Sequence, residues 1–283
     1  MKRMAKIVKK IKNKLKPIVR WLQMKSLDKV DLLEYLNIDW DKWDFETDNE
    51  YIRQNMRMMR RFQYGLVNTS MFLWLMLKFT EENLVIHDLG DADGFHQWVA
   101  KEEAFKIAEE WKTVSLTHIK TCGYNISQKA VDKIQANGYN AVVRSIENYL
   151  NIDNRTWPVD IVMMFETLEH LENPVHVLRS LNNKMLILTI PYIRQSRVGF
   201  HQARRGKTEE ATPENLHVFE LCSKDWKLIF EHTGWRVIHE DIYYQYPRTY
   251  PHAIWGIFMK YLWRYLDYEG FWGVTLIKKI GES

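Results

Sequence analysis

One segment of the sequence combines glycines and acidic residues in a way that could hold a ligand. It runs from Asp88 to Gly94 with the sequence DLGDADG and follows a short apolar run, Leu84 to Ile86. A helical pattern begins directly after it, so the segment is predicted to join a strand to a helix. In an open α/β sheet, such a turn lets the main chain approach a ligand at the carboxyl edge of the strands. An ordinary tight turn would look the same, so this segment alone does not decide the chemistry.

The two carboxylates in this turn allow another interpretation. Asp91 and Asp93 form a DxD after a strand, a pattern with which many glycosyltransferases hold a metal ion and a sugar nucleotide, and such a pair could bind Mg²⁺ or Mn²⁺. The turn does not fit a calcium loop, whose first and twelfth positions would be Leu89 and Ala100. A DxD glycosyltransferase therefore remains an alternative.

The elements that position this turn alternate between strands and helices after residue 82, which is typical of βαβ units and a mostly parallel sheet. Strands are predicted at 84–86, within 113–126, and at 141–143, 161–165, 185–190, 236–239 and 273–277, with Pro191 closing the fifth. Helices are predicted at 95–111, 127–136, 174–181 and 223–232, with one or two more between 51 and 79.

Four segments, in this order, resemble the class I S-adenosylmethionine-dependent methyltransferases of the small-molecule branch. Residues 85–94 look like the first motif of that family, and Gly123 to Ser127 look like the end of its second strand. The most specific match, Val159 to Pro174, is similar to the fourth strand and its Leu-Glu-His turn, and residues 215–237 resemble the segment before the sixth strand. The resemblance covers roughly residues 80 to 280. It implies an α/β fold, a Rossmann-like doubly wound, mostly parallel seven-stranded sheet with an N-terminal helical extension.

The resemblance also implies S-adenosylmethionine as the cofactor and assigns residues to it. Asp88, Gly90, Ala92 and Gly94 would border its methionine part, Asn125 the ribose, Ser145, Ile146 and Glu147 the adenine, and Glu166 the methyl-transfer site. Ala92 replaces the usual glycine, and Asn125 and Ser145 stand where the family has acids. Because Asn accepts hydrogen bonds only through its carbonyl oxygen, it is a weaker ribose partner than a carboxylate. A catalytically inactive scaffold or assembly subunit with this fold is therefore an alternative.

Methyl transfer to a hydroxyl needs a group that accepts the proton of that hydroxyl. His170 and His217 are the candidates, because the resemblance places both segments near the carboxyl edge of the sheet. A histidine that only caps a turn or packs is the alternative for each. The Glu166-x-x-Glu169-His170 spacing lacks the first His of the metalloprotease pattern, and no metal site is predicted. The expected function is methyl transfer to a small molecule, with an oxygen of a glycan or lipid-linked precursor as the acceptor.

Charge is distributed unevenly along the chain. The formal net charge is +4, but residues 1–25 contain ten basic residues and no acid, which leaves 30 basic against 36 acidic residues elsewhere. Lysines and aliphatic residues alternate at helical spacing in this arm and predict a basic amphipathic helix. Such a helix could lie on an anionic membrane surface, dock on a protein partner, or bind nucleic acid, although nucleic acid leaves the apolar stripe unexplained. An RNA-directed methyltransferase is the corresponding alternative.

The sequence is predicted to comprise a basic helix (1–25), a helical extension or connector (26–80) and a methyltransferase-like domain (81–283). Its 46% hydrophobic residues argue against a largely disordered chain, and its two cysteines do not form a disulfide or zinc-finger pattern. With neither a signal peptide nor a spanning segment in the pattern, we expect a cytoplasmic protein, or one peripheral to a membrane. The aromatic stretch 243–268 and the basic segment 195–213 are candidates to border the substrate; a core helix and a solvated loop are their alternatives.

Overall fold

The computed structural model describes residues 38–43, 50–77, 83–111, 118–151, 158–201, 216–244 and 270–279. The predicted arm helix, nearly all of the aromatic stretch and residues 202–213 of the basic segment lie outside the described residues. Among the described residues, no helix combines the length and the apolar character needed to cross a membrane. The chain divides into two compact units, one of Met1–Met59 with Tyr243–Gly270 and one of Arg60–Ile242 with Phe271–Ser283. The second unit contains nearly all of the sheet and the residues of the candidate site described below.

Nine strands and seven α-helices lie within the described residues. In chain order they are α1 (Trp40–Trp43), α2 (Glu50–Met76), β1 (Asn83–Leu89), α3 (Phe95–Trp111), β2 (His118–Asn125), α4 (Gln128–Ala136), β3 (Ala141–Val143), α5 (Ile146–Asn151), β4 (Ile161–Phe165), α6 (Pro174–Ser180), β5 (Met185–Tyr192), β6 (Arg197–His201), β7 (Leu216–Glu220), α7 (Ser223–His232), β8 (Trp235–Tyr244) and β9 (Gly270–Lys278). A 3₁₀ turn, Leu168–His170, follows β4.

Seven strands form one sheet in the order β3-β2-β1-β4-β5-β9-β8, and β6 and β7 form a separate antiparallel ribbon. β1 pairs in parallel with both β2 and β4, and the pairs β2–β3 and β4–β5 are also parallel. This arrangement confirms the predicted α/β class and seven-stranded, mostly parallel sheet. The order reverses between β1 and β4, so the turns after these two strands border the same crevice at the carboxyl edge.

Burial explains why these segments form strands and helices. All five residues of β4 are buried apolar side chains, as expected for a strand covered on both faces. Ser127 caps α4 by accepting a hydrogen bond from the Ala130 amide, and Gly138 follows the helix with a φ of 88°. The segment 51–79 forms a single helix, α2, whose buried side chains include Leu66, Val67, Met71 and Trp74.

Two local predictions were wrong, and one helix was missed. Pro191 does not close β5, which continues to Tyr192; Pro191 lies beyond Thr189, the last residue that pairs with β4, where a missing N–H is tolerated. The start of the predicted basic loop is a strand, β6, because it pairs with β7. Helix α5 was not predicted, and its first amide groups are satisfied by Ser145, whose hydroxyl accepts a hydrogen bond from Asn148.

Candidate functional site

The turn after β1 requires glycine at two positions. Gly90 and Gly94 have φ angles of 92° and 87°, a conformation that other residues adopt at a cost. A Cβ atom at Gly90 would overlap the hydroxyl of Thr167, which follows β4, and one at Gly94 would lie 3.0 Å from the ring of Tyr139. Close packing against the neighbouring strand end therefore selects these glycines. Ala92, between them, is exposed.

Asp91 fixes the shape of this turn from inside. One of its carboxylate oxygens accepts hydrogen bonds from the Gly94 amide at 2.8 Å and the Asp93 amide at 3.2 Å, and the other accepts one from Gln97 at 2.7 Å. Burial, followed by repulsion from Asp88, raises the pKa of Asp91 to about 7. The side chain therefore holds the turn rather than facing a ligand.

Asp93 is also engaged by the protein. Its carboxylate lies 2.6 Å from the guanidinium of Arg60, with both side chains 4% exposed, and its other oxygen accepts a hydrogen bond from the Phe95 amide. Arg60 in turn lies 4.6 Å from the centre of the Phe95 ring. Protein groups therefore hold both carboxylates of the DxD, Asp91 and Asp93.

A buried chain of hydrogen bonds joins the end of β1 to the end of β5. Asp88 contacts Nδ1 of His96 at 3.1 Å, Nε2 of His96 contacts Oε1 of Gln63 at 3.0 Å, and Gln63 donates to the Thr189 hydroxyl at 3.3 Å. The ring of His96 also stacks on Phe165 with a centroid distance of 3.9 Å.

The pKa shifts and the Gln63 amide indicate which group donates in each of these hydrogen bonds. Burial raises the pKa of Asp88 well above its usual value, and burial lowers the pKa of His96 to about 4. Because the Gln63 oxygen can only accept, Nε2–H of His96 donates to it, and with a pKa near 4 the ring of His96 is neutral at pH 7. Nδ1 is then an acceptor, which fits a proton on Asp88. Each of the three hydrogen bonds from Asp88 to Thr189 then has one donor and one acceptor. The Thr189 hydroxyl also forms a hydrogen bond with Glu166.

Two positions that the resemblance assigns to the cofactor make hydrogen bonds within the protein. The Asn125 amide donates to the carbonyl of Asp91 at 2.8 Å, and its oxygen accepts from the Ser127 amide at 2.8 Å. The Ser145 hydroxyl accepts from Asn148, as described above. Beside Ser145, Ile146 is buried and Glu147 is exposed. Each oxygen keeps one lone pair for a further donor, so these contacts restrict a ligand there without preventing it.

Glu166 occupies the first position after β4 in a strained conformation. Its φ is 51°, and it is the one non-glycine residue with a positive φ among the described residues. Such strain is uncommon away from functional sites. The Glu166 amide donates to the carbonyl of Thr189 at 2.9 Å, while its Oε1 is buried with no hydrogen-bond partner within the described part of the chain. Burial, followed by repulsion from Glu169, raises the pKa of Glu166 well above its usual value.

The 3₁₀ turn brings Glu169, His170 and His217 together. The imidazole rings of His170 and His217 lie edge to face with a centroid distance of 4.7 Å. Glu169 is 1% exposed, and neither of its carboxylate oxygens has a hydrogen-bond partner among the described residues. Burial raises the pKa of Glu169 to about 7, although nearby His217 acts in the opposite direction. The two predicted catalytic histidines are thus neighbours, beside a buried carboxylate.

The ribbon of β6 and β7 holds His217 in place. Phe200 pairs with His217 and Arg197 with Glu220 in the antiparallel register. Nδ1 of His217 lies 2.6 Å from one carboxylate oxygen of Glu220, and Arg197 forms an ion pair with the other. Burial would raise the pKa of Glu220, but its bonds to His217 and Arg197 lower it below the usual value. Arg197 was predicted as part of a loop for anionic substrates; here it anchors Glu220.

The structure places most of the predicted site residues at one edge of the sheet. Asn125 contacts the turn of Gly90 and Ala92 through the carbonyl of Asp91, and Thr167 joins that turn to Glu166. Sequence reasoning missed His96, Arg60, Glu169 and Glu220. Two of these residues could have been identified from their positions in the sequence. His96 is the second residue of the helix after the glycine turn, and Glu220 stands three residues after His217.

Comparison with known proteins adds similar structures. The plantazolicin methyltransferase BpumL in complex with S-adenosylhomocysteine is 13% identical, with 96% of this chain and 99% of that chain covered and a TM-score of 0.45. The Burkholderia thailandensis 1,6-didemethyltoxoflavin-N1-methyltransferase, with bound 1,6-didemethyltoxoflavin and S-adenosylhomocysteine, is 10% identical over 76% of this chain and 78% of that chain, with a TM-score of 0.46. An S-adenosylmethionine-dependent methyltransferase from Aquifex aeolicus is 14% identical over 74% and 89%, with a TM-score of 0.40.

No protein-family model matches the chain, and no curated protein matches its sequence. The strand order and the parallel registers of the sheet define the fold.

Proposed function

We propose that this protein transfers a methyl group from S-adenosylmethionine to a small molecule. The observation that carries the proposal is the strand order β3-β2-β1-β4-β5-β9-β8, with its glycine turn after β1 and the strained, buried Glu166 after β4 at the same crevice. A ligand at this switch point would meet the exposed main chain at Ala92 and the buried carboxyl of Glu166.

The residues at this edge fit such a cofactor. In the proposal, Asp88, Gly90, Ala92 and Gly94 border its methionine part, with the main chain at Ala92 in contact. Asn125 accepts from the ribose, Ser145, Ile146 and Glu147 border the adenine, and Glu166 offers its partnerless oxygen to the amino group or the methyl site. The cofactor, when bound, supplies a methyl carbon that is already electrophilic, so the protein's part is alignment and exclusion of water.

The acceptor in this proposal is an oxygen of a small molecule, such as a glycan or lipid-linked precursor. His170 and His217 support it, because an imidazole beside the crevice can take the proton that a hydroxyl loses as its oxygen attacks. His217 suits this role better, since the contact between its Nδ1 and Glu220 leaves Nε2 as the basic nitrogen.

Calorimetric titration of S-adenosylmethionine and S-adenosylhomocysteine tests the cofactor half of the proposal. Ala92→Gly should bind S-adenosylhomocysteine severalfold more tightly than the unaltered chain, because it removes a methyl group from the approach of the ligand. Ala92→Leu should lose binding while keeping the same unfolding midpoint, since the side chain is exposed. The proposal fails if neither ligand binds at about millimolar concentration to protein that is shown to be folded.

A second candidate function is a catalytically inactive subunit with the same fold. The specific observation in its favour is that Asn125 and Ser145 already serve as partners for Ser127 and Asn148. The same titration separates the two candidates, because the inactive subunit would not respond to Ala92→Gly.

The basic arm supports a proposal about location. Its ten basic residues and aliphatic stripe suit an anionic membrane surface, where each basic residue adds roughly 1 kcal/mol. Sedimentation with vesicles containing phosphatidylserine should retain the full chain but not a chain lacking residues 1–25. Equal retention of both, or retention on vesicles of phosphatidylcholine alone, would contradict it.

A further inference from the structure

We infer that Glu169, His170 and His217 form a binding site for a divalent first-row transition-metal ion at the carboxyl end of β4. Each residue offers one ligand atom, and these three atoms lie within 4.8 Å of one another. Around an ion with bonds of about 2.1 Å, ligand atoms are separated by roughly 3 to 4 Å, so small side-chain rotations complete the site. Two imidazole nitrogens and one carboxylate oxygen suit ions such as Mn²⁺, Fe²⁺ or Zn²⁺.

The first argument is the state of the Glu169 carboxylate. It is 1% exposed, and neither oxygen has a hydrogen-bond partner within the described residues. Buried carboxylates are ordinarily hydrogen-bonded, paired with a cation or bound to a metal. One nitrogen of each of the two imidazoles lies within 4.8 Å of a Glu169 oxygen, and imidazoles are metal ligands when neutral. A bound cation would give the Glu169 carboxylate the partner that it lacks among the described residues.

The second argument is the support behind His217. Its Nδ1 lies 2.6 Å from Glu220, whose other oxygen is held by Arg197. A carboxylate bonded to one nitrogen of a histidine is the usual partner of metal-bound imidazole, because it fixes the tautomer and the orientation of the ring. Nε2 of His217 is then the nitrogen that carries a free lone pair toward the cluster. Glu220 is thus a positioning residue.

The third argument is how the fold assembles the three ligands. Glu169 and His170 are adjacent in a 3₁₀ turn that begins three residues after the last residue of β4, and His217 comes from the ribbon of β6 and β7 packed against that turn. The two rings lie edge to face at 89°, and one nitrogen of each lies within 4.8 Å of the other and of a Glu169 oxygen. Ligands from two rigid elements give a site that exists before the ion arrives.

The site is next to Glu166, whose carboxylate repels that of Glu169. If the proposed methyl transfer holds, an ion here would replace His217 as the activating group, because Nε2 of His217 would then bind the ion and could not accept a proton. The ion would bind the acceptor hydroxyl and lower its pKa, so that the hydroxyl loses its proton to solvent before its oxygen attacks. This consequence alone rests on the proposed function. The ion-binding site itself does not.

The test is metal binding by the untagged full chain in the absence of cofactor and substrate. After dialysis against a chelator, the protein is titrated with Mn²⁺ alone by calorimetry and with Co²⁺ alone by visible absorption, which reports nitrogen and oxygen ligation. We expect one ion per chain. His217→Gln and Glu169→Gln should each weaken binding at least about tenfold, and Glu220→Gln should weaken it about 10- to 100-fold and alter the Co²⁺ spectrum.

The matched control is His176→Gln, an exposed histidine on α6, which should leave affinity and spectrum unchanged. Should Glu169→Gln fail to fold, His217→Gln decides, because that side chain is 29% exposed. The inference is overturned if the unaltered chain takes up no stoichiometric ion at about millimolar concentration, or if His217→Gln binds as well as His176→Gln. A chain that binds S-adenosylhomocysteine but takes up no ion would overturn this inference alone. A chain that takes up an ion but does not bind S-adenosylhomocysteine would overturn only the proposed cofactor.

Discussion

The guanidinium of Arg60 and the carboxylate of Asp93 form an ion pair at 2.6 Å in which both side chains are almost fully buried. Arg60 lies on α2, before the first strand, and Asp93 lies in the turn after that strand. The pair therefore fastens the helix that precedes the sheet to the turn at its carboxyl edge. It also shows that Asp93, the second carboxylate of the DxD, is held by a cation of the protein itself.

Removal of one member of this pair should be costly. Arg60→Met leaves a buried carboxylate without its cation, and we expect the free energy of unfolding to fall by about 3 to 5 kcal/mol. The double variant with Asp93→Asn should be less destabilised than the sum of the two single variants, because neither charge is then left alone. Urea unfolding of all four chains gives the coupling, and additivity within about 0.5 kcal/mol would contradict it.

Gly90→Ala should destabilise the protein by about 1 to 2 kcal/mol or more, because alanine disfavours the positive φ and its methyl group meets Thr167. Gly65→Ala is the matched control. That glycine lies within α2, a Cβ there would meet nothing within 4 Å, and the change should stabilise the helix by roughly 0.5 to 1 kcal/mol. Thermal unfolding of both variants decides the matter, and equal effects would show that the turn does not require glycine.

The raised pKa of Asp91 makes stability depend on pH. The folded chain binds this proton more tightly than the unfolded chain, whose pKa is near 3.8. The resulting stabilisation is therefore present below about pH 4 and is lost as pH rises towards 7, with a slope of up to about 1.4 kcal/mol per pH unit. Asp91→Asn removes the slope, so the stability of the unaltered chain relative to this variant should fall between pH 4 and 7.

Urea unfolding at several pH values measures this difference. The substitution also changes the titration of Asp88 and His96, which interact with Asp91 by charge and contribute to the difference. Ser127→Ala is the control, since it loses the cap of α4, at a cost of about 1 kcal/mol, without removing a titrating group. If the difference in free energy of unfolding between the unaltered chain and Asp91→Asn is as independent of pH as the difference for Ser127→Ala, the buried position of the carboxyl is contradicted.

Asn125→Asp should lower the free energy of unfolding by about 1 kcal/mol or more. The change removes the donor to the Asp91 carbonyl and places a carboxylate oxygen against that carbonyl, although the Ser127 amide keeps its acceptor. Asn148→Asp is the control, because this exposed position in the first turn of α5 tolerates a negative charge. Chemical unfolding compares the two, and an Asn125→Asp protein as stable as the control would show that the 2.8 Å contact to Asp91 contributes nothing.

Much of the fold could be predicted from local pattern. Helix α3, strands β3 and β4 and helix α7 begin and end where periodicity and turn residues indicate, because burial on one or both faces leaves a regular trace in the sequence. The ribbon of β6 and β7 could not be predicted in this way, since each strand has only five residues and is stabilised by its pairing with the other. Helix α5 is only six residues long, which is too short for a clear period.

By itself, the sequence determined the alternation of strands and helices, the glycine turn after β1 and the presence of two histidines in segments near the sheet edge. Only the tertiary structure decided what these residues contact. Arg60 meets Asp93, His96 meets Asp88 and Gln63, and His217 lies beside His170, 47 positions earlier in the chain. Local pattern records which face of an element is buried, whereas a hydrogen bond or a ligand cluster depends on which elements the sheet order makes neighbours.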